Sequence, residues 1–379
     1  MVLAKTTKPR GTPIKLREAV SWLKGYLQRN LIPRLEECWE RPLTEKEQQL
    51  VSILEMLQIE RFVWRPSQRC GRKPWERPAL ARAFVGKAVF NHPHTRASWQ
   101  ALRAEPVFRQ ICGFVKRTDI PSEATFSRAF AEFAKAGLGE KVHAALVAQY
   151  VKPGLVGHIS RDATAIQGRE KPRPKTRRIK PAPRKKGRPR RGEEREPKPE
   201  TRLERQSQQS AAEALAELPQ YCDKGMKKNA KGDRERWTGY KLHADINDCC
   251  LPISVALTAA SLHESQVAIP LIKMTSERVD YLYDLMDAAY DADPIYQVSR
   301  SLGHVPIIKK NRRRKEVIPL APHEAARYRE RTVAERFNSR LKEEFGGGNV
   351  MVRGAQKVWL HLMFGIIALF ADQLLKLIS

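Results

Sequence analysis

The chain has 379 residues, enough to bury a sizeable core in one to three domains. Its 70 Lys and Arg residues outnumber its 42 Asp and Glu residues, and the net charge of +28 favours a polyanionic partner. No secretory signal follows Met1, and the most apolar stretch, residues 358–371, is short for a bilayer span and contains His361. We therefore expect a buried C-terminal helix. Because the six cysteines form no CxxC pair, we also expect reduced thiols in the cytosol.

Residues 1–150 are predicted to form an all-α region. Helical periodicity covers residues 14–63, 80–90 and 97–114, and a further helix begins near residue 122 with Pro and Ser at its start. Short helices separated by tight turns, with Arg and Lys throughout, suit a helix-turn-helix DNA reader. A plain helical bundle would give the same pattern.

The hydrophobic periodicity changes from residue 155 on, which marks a second region. Residues 155–161 predict a short strand that ends at Asp162. Residues 171–191 then hold twelve Lys and Arg, five Pro and no acid, so we expect disorder over 171–205 until a partner binds. Within this segment Arg188 and Arg190 belong to a run that resembles an AT-hook, which enters the minor groove of DNA. Its shortness favours the alternative of a general phosphate-binding tether.

The remaining elements alternate between strands and helices. A helix is predicted at 206–218, a hairpin at 240–257 around Asn247-Asp248, a helix at 264–275, and a strand at 279–286 that ends at Asp287. A helix at 292–302, a strand at 304–309 and a last helix at 328–342 follow. This order matches an RNase H-like α/β fold, a mixed five-stranded sheet flanked by helices. In that fold the first and fourth strands are neighbours and the last helix packs beside them, so Asp162, Asp287 and Glu335 would converge.

The predicted helix at 328–342 has two different faces. At about 100° per residue, four polar side chains fall within a sector of roughly 60°, namely Tyr328, Arg331, Glu335 and Lys342. Apolar side chains occupy the opposite side, at Val333, Phe337 and Leu341. In most helices such a polar face is simply exposed to solvent and has no further function.

The spacing Tyr-(2)-Arg-(3)-Glu-(6)-Lys resembles the signature of DDE transposases of bacterial insertion sequences, of the IS-four/IS-five type. The block 222–243, which ends in Trp-Thr-Gly-Tyr-Lys-Leu-His, and the Tyr290-Asp291 step after Asp287 are similar to blocks of the same family. The resemblance implies a DNA-binding region at 1–150, a catalytic domain at 151–345 with a basic insert at 168–236, and a C-terminal helix at 346–379 that packs on the core.

The resemblance also implies the roles of the site residues. Asp162, Asp287 and Glu335 would be catalytic and would bind two Mg²⁺ ions, for which Mn²⁺ could substitute. The side chains that would hold DNA phosphates are Tyr328, Arg331 and Lys342. Asp284 is the alternative to Asp287, because it is a neighbouring acid. This chain also has Ala289 where the family usually has Gly, a change that concerns the local backbone geometry rather than the ligand.

The activity implied is cleavage of double-stranded DNA at terminal inverted repeats, followed by strand transfer into target DNA. The enzyme would act as a homodimer or higher oligomer in the bacterial cytoplasm, associated with the nucleoid. Two other functions remain open: an RNase H-like nuclease without strand transfer, and a non-catalytic DNA-binding protein derived from a transposase.

Overall fold

The computed structural model describes residues 41–63, 75–174, 200–228, 232–311 and 319–378. The helices predicted before residue 41 and the AT-hook-like run with Arg188 and Arg190 lie outside the described residues. So do residues 175–199, most of the segment predicted to be disordered.

Six helices precede the sheet in the described part of the chain: α1 Glu45–Leu57, α2 Arg77–Val89, α3 Thr95–Ala104, α4 Pro106–Cys112, α5 Glu123–Ala136 and α6 Leu138–Tyr150. The single helix predicted at 97–114 is wrong, because Pro106 begins α4 and its ring disfavours helical geometry at the preceding residue. Ser122 stands at the start of α5, as its position before an apolar run predicts.

The sheet has six strands within the described residues: β1 Val156–Gln167, β2 Asp223–Lys228, β3 Arg234–Asn247, β4 Pro252–Ala259, β5 Tyr281–Met286 and β6 Val305–Ile308. They pair in the order β2-β3-β1-β5-β6, and β4 also pairs with β3. The pairs β1–β5 and β5–β6 are parallel, and every pair with β3 is antiparallel. The first and fourth predicted strands, β1 and β5, are therefore neighbours, as expected.

Two details of the sheet differ from the prediction. The number of strands is six rather than five, because β2 is polar and lacks the alternation that marks a half-buried strand. β1 runs on to Gln167, so Asp162 lies in the middle of the strand rather than at its end. The antiparallel partner β3 extends β1 in this way, since its backbone pairs with residues 159–167.

The remaining helices flank the sheet: α7 Arg202–Gln208, α8 Ala211–Ala216, α9 Ser265–Arg278, α10 Asp293–Ser301, α11 Pro322–Tyr328, α12 Thr332–Glu343 and α13 Ala355–Ile378. Ser210 caps α8 and interrupts the helix predicted at 206–218. The helix predicted at 328–342 is α12, separated from α11 by a 3₁₀ turn at Arg329–Arg331. Residues 168–236, the predicted insert, include α7, α8, β2 and the start of β3.

One hydrophobic cluster joins the N-terminal helices to the sheet through α13. Phe364 of α13 stacks on Phe84 of α2 at 5.7 Å between ring centres. In the described part of the chain, α13 is the one helix long and apolar enough to cross a membrane, but 83% of its most apolar window is buried inside the protein. It is a core helix, as predicted.

A buried ion network fixes the centre of the sheet. The guanidinium of Arg161 on β1 donates to both carboxylate oxygens of Asp245 on β3, at 2.7 and 2.6 Å. It also lies 3.4 Å from Asp284 on β5, and none of the three side chains is exposed. Hydroxyl groups complete the network, since Thr275 donates to Asp245 and Ser299 donates to Asp284. Burial alone would lower the pKa of Arg161, but the two carboxylates raise it overall.

Replacing Arg161 with Met is expected to destabilise the protein by about 3–5 kcal/mol, because Asp245 and Asp284 would remain buried without their cation. Chemical unfolding followed by circular dichroism measures this loss. Arg336→Met, at an exposed position of α12, is the matched control and should change stability by less than about 0.5 kcal/mol. An equal effect of both substitutions would contradict a stabilising role for the network.

Candidate active site

Asp162 lies at the centre of the candidate site, on the face of β1 opposite Arg161, because successive side chains of a strand alternate. Its Oδ2 accepts a hydrogen bond from Asn338 Nδ2 of α12 at 3.0 Å, and its Oδ1 lies 3.6 Å from Arg331. Burial raises the pKa of Asp162 to about 6. Arg331 opposes this shift, while the charges of Glu264 and Asp287 add to it. At least two further carboxylates are therefore close to Asp162.

Asp287 directly follows β5, the parallel neighbour of β1. Its Oδ1 accepts a hydrogen bond from the backbone of Ala289 at 2.9 Å and so caps the short turn Ala288–Tyr290. Ala289 is not among the non-glycine residues with positive φ, so alanine fits where the family usually has glycine. Asp284, the alternative ligand, is fully buried in the Arg161 network.

Glu335 of α12 carries a half-exposed carboxylate whose Oε1 lies 2.5 Å from Arg331 Nη2. Arg331 thus forms ion pairs with both Asp162 and Glu335. Its guanidinium also lies 6.0 Å from the ring centre of Tyr328. Burial lowers the pKa of Lys342, the charge of Lys227 lowers it further, and Asp162 partly offsets the shift, so Lys342 lies within electrostatic range of Asp162. The four signature side chains therefore share one side of the α11–α12 segment, although the helix is interrupted between Tyr328 and Thr332.

Three residues of the site were not predicted from the sequence. Glu264, just before α9, forms an ion pair with Lys241 at 3.2 Å. The buried hydroxyl of Tyr290 has no hydrogen-bond partner among the described residues; its pKa is raised well above normal by burial and then by Glu264, Asp162 and Asp287. Asn338 falls one helical turn after Glu335, a position that could have indicated its role. No pattern in the sequence distinguishes Glu264.

The oxygen-rich site suits a divalent cation in its chemistry but is not a preformed metal centre. Hard carboxylate and amide oxygens are the ligands that Mg²⁺ prefers. Two oxygens near Asp162, Tyr290 Oη and Asn338 Oδ1, are buried without a partner among the described residues. Yet no three His, Cys, Asp or Glu side chains in the described ranges lie close enough to hold a metal ion. Arg331 lies between two of the carboxylates instead.

Comparison with protein families identifies the family to which this chain belongs. The family described as Transposase DDE domain matches residues 162–371, which is more than half of the chain and includes Asp162, Asp287 and Glu335. This chain belongs to the DDE transposase family. A second family, Transposase domain (DUF772), matches residues 39–132. No curated protein and no solved structure matches the chain.

Membership in the DDE transposase family makes this protein an enzyme of DNA transposition. The match begins at Asp162 within β1 and continues through β3, β5 and α12, so all three predicted acids lie within it. The second match covers α1 to α4 and most of α5, hence the N-terminal helices are also part of a transposase. Family members use divalent metal ions, which fits the oxygen-rich surroundings of Asp162.

Asp162→Asn is expected to stabilise the folded transposase by on the order of 1–3 kcal/mol at pH 7.5, because the raised pKa shows that burial disfavours the charged form. The gain in stability should be complete above pH 6, the approximate pKa of Asp162 in the folded protein. It should vanish below about pH 4, the pKa of an aspartate in the unfolded chain. Thermal and chemical unfolding at several pH values test this. Asp293→Asn, at an exposed position, is the control; a loss of stability in Asp162→Asn above pH 6 would refute the prediction.

Proposed function

We propose that this transposase cleaves DNA at the transposon ends and transfers the resulting 3′-OH strand into target DNA, using Asp162, Asp287 and Glu335 in an RNase H-like core. The observation that carries the proposal is the convergence around Asp162. Arg331 bridges Asp162 and Glu335, and the charge of Asp287 acts on Asp162, although the three acids are distant in sequence. The arrangement of β1, β5 and α12 supports an RNase H-like core.

Asp162, Asp287 and Glu335 would hold two Mg²⁺ ions, for which Mn²⁺ could substitute. When bound, such ions lower the pKa of an attacking water or hydroxyl group and stabilise the leaving oxygen. Asn338 positions the carboxylate of Asp162 through its amide hydrogen bond. Asp287 is favoured over Asp284 as the second ligand, because the carboxylate of Asp284 is already engaged by Arg161 and Ser299.

The remaining signature side chains would bind the DNA backbone. Arg331 offers a planar fork that suits phosphate oxygens, and Tyr328 and Lys342 stand on the same side of the helix. The N-terminal helices and the basic run with Arg188 and Arg190 would add contacts to double-stranded DNA, both at inverted repeats and at the target. The signature spacing supports the IS-four/IS-five type. A homodimer or higher oligomer in the bacterial cytoplasm, at the nucleoid, would bring two ends together.

A DNA cleavage and joining assay tests this function. With a duplex that carries the element's terminal repeat and Mg²⁺, we expect end cleavage followed by joining to target DNA. Each of Asp162→Asn, Asp287→Asn and Glu335→Gln should reduce both steps at least 10³-fold, because each removes an anionic metal ligand.

Glu330→Gln is the matched control, since Glu330 is exposed in the turn before α12, and it should retain activity. Cleavage without joining would instead support an RNase H-like nuclease. Sequence-specific binding without metal-dependent cleavage would support a DNA-binding protein derived from a transposase. Either result would overturn the strand-transfer proposal.

Arg331→Gln is expected to strengthen Mn²⁺ binding by about threefold to tenfold, because Arg331 competes for Asp162 and Glu335 and such a pair holds on the order of 1 kcal/mol. The same substitution should weaken binding to terminal-repeat DNA. Calorimetric titration with Mn²⁺ and a DNA-binding assay measure the two effects. Arg336→Gln, exposed on the same helix, should leave Mn²⁺ affinity unchanged. Unchanged or weaker Mn²⁺ binding in Arg331→Gln would show that Arg331 does not compete.

A further inference from the structure

A cavity of about 480 Å³ lies at the junction between the N-terminal helices and the part of the chain that matches the transposase DDE domain. We call it the Lys87 cavity. Lys87 of α2 and His361 of α13 line it with almost fully buried side chains, while Arg96 and Arg169 line it from exposed positions. None of these residues contributes to the site around Asp162. The cavity is therefore a separate feature with a buried, basic floor.

The buried lysine lacks a compensating acid. Lys87 is 5% exposed, and among the described residues it forms no ion pair with a carboxylate. Its Nζ lies 3.3 Å from His361 Nδ1, and His361 Nε2 donates to the carbonyl of Gly346 at 2.9 Å. Nδ1 is therefore the unprotonated nitrogen, a neutral acceptor for the ammonium. Burying an ammonium group without an opposite charge is costly, so this position suits an anionic ligand.

The rest of the lining also favours an anion. The first residues of α3, Thr95 and Arg96, line the cavity, so the N-terminal end of that helix lies at its wall. His94, which also lines the cavity, caps this end by accepting a hydrogen bond from the backbone of Ala97 at 3.0 Å. Glu123 is the one acid among the cavity's lining residues, and its carboxylate is engaged by Arg96 at 3.0 Å. Arg169 forms no ion pair within the described ranges. Ser127 adds a hydroxyl donor.

We propose that the Lys87 cavity binds a phosphate monoester group, which a free phosphate or the 5′-terminal phosphate of a DNA strand can supply. A terminal phosphate fits better than a phosphodiester within a duplex, because Lys87 is almost fully buried and a phosphate at a strand end can enter the cavity further than one inside a duplex. Lys87 and Arg96 lie within the match at 39–132, whereas Arg169 and His361 lie within the match at 162–371. A phosphate bound here would contact both matched regions of the transposase at once.

Thermal unfolding of the full chain with inorganic phosphate tests the site, at ionic strength held constant with chloride. Phosphate should raise the melting temperature of the wild type in a saturable manner by roughly 2–4 °C. Lys87→Met keeps the side-chain volume and removes the buried charge, so it should fold and should bind phosphate at least tenfold more weakly. Lys141→Met, at an exposed position of α6, is the matched control and should respond as the wild type does.

If Lys87→Met fails to fold, the variant Arg169→Gln is tested in its place. Arg169 lines the cavity from an exposed position, so this substitution should weaken phosphate binding about threefold. A phosphate-induced rise that is equal in the wild type, Lys87→Met and Arg169→Gln would overturn the proposal, as would no rise at all. These outcomes do not depend on DNA cleavage. The phosphate site can therefore be refuted while the proposed function stands, and the proposed function can be refuted while the phosphate site stands.

A second arm, which rests on the proposed function, identifies the source of the phosphate. Oligonucleotides with and without a 5′-phosphate are compared for affinity, and inorganic phosphate is added as competitor. Tighter binding of the 5′-phosphorylated strand by the wild type, lost in Lys87→Met, assigns the cavity to DNA ends. Equal binding of both strands, together with a phosphate-induced rise in melting temperature, assigns it to a free phosphate and still supports the site.

Discussion

The buried ion pair of Arg161 with Asp245 and Asp284 is the constraint on which the geometry of the active site depends. It connects β1 to its neighbours β3 and β5 through three side chains that are fully buried. Because side chains alternate along a strand, fixing Arg161 on one face fixes Asp162 on the other. The same contact holds β5, and thereby the position of Asp287 at its end. A charged network in the core thus sets the placement of two of the acids that we propose as catalytic, and removing its cation would leave two buried charges.

The active site itself is held in electrostatic balance by basic side chains. Burial raises the pKa of Asp162, and nearby acids raise it further, so a cluster of carboxylates would repel itself without cations. Arg331 offsets that repulsion for Asp162 and Glu335, and Lys241 does so for Glu264. This arrangement explains why the carboxylates lie near one another yet form no preformed metal centre within the described residues. Substrate phosphates and cations would then compete for the same partners.

The sequence predicted what short-range periodicity determines and missed what depends on distant packing. The polar and apolar faces of the helix at 328–342 and the order of strands from β3 to β6 followed from local patterns, and the structure reproduces them. The strand β2 was missed because its pairing with β3, not its composition, makes it a strand. The sequence predicts a strand end at Asp162 because the apolar run stops there, whereas pairing with β3 extends β1 five residues further. Glu264 joins the site through tertiary contacts that no spacing encodes.

The position of α13 would link the DNA binding proposed for the N-terminal helices to the proposed catalytic site. This helix packs against the N-terminal helices, and the same hydrophobic cluster continues into β1, β3 and α12. A densely packed core moves as a unit, because its side chains leave few voids to absorb a displacement. DNA bound by the N-terminal helices would therefore be held at a fixed position relative to Asp162 and Glu335. For a reaction that requires the scissile phosphate to lie within a few ångströms of its catalytic groups, this shared core provides the necessary rigidity.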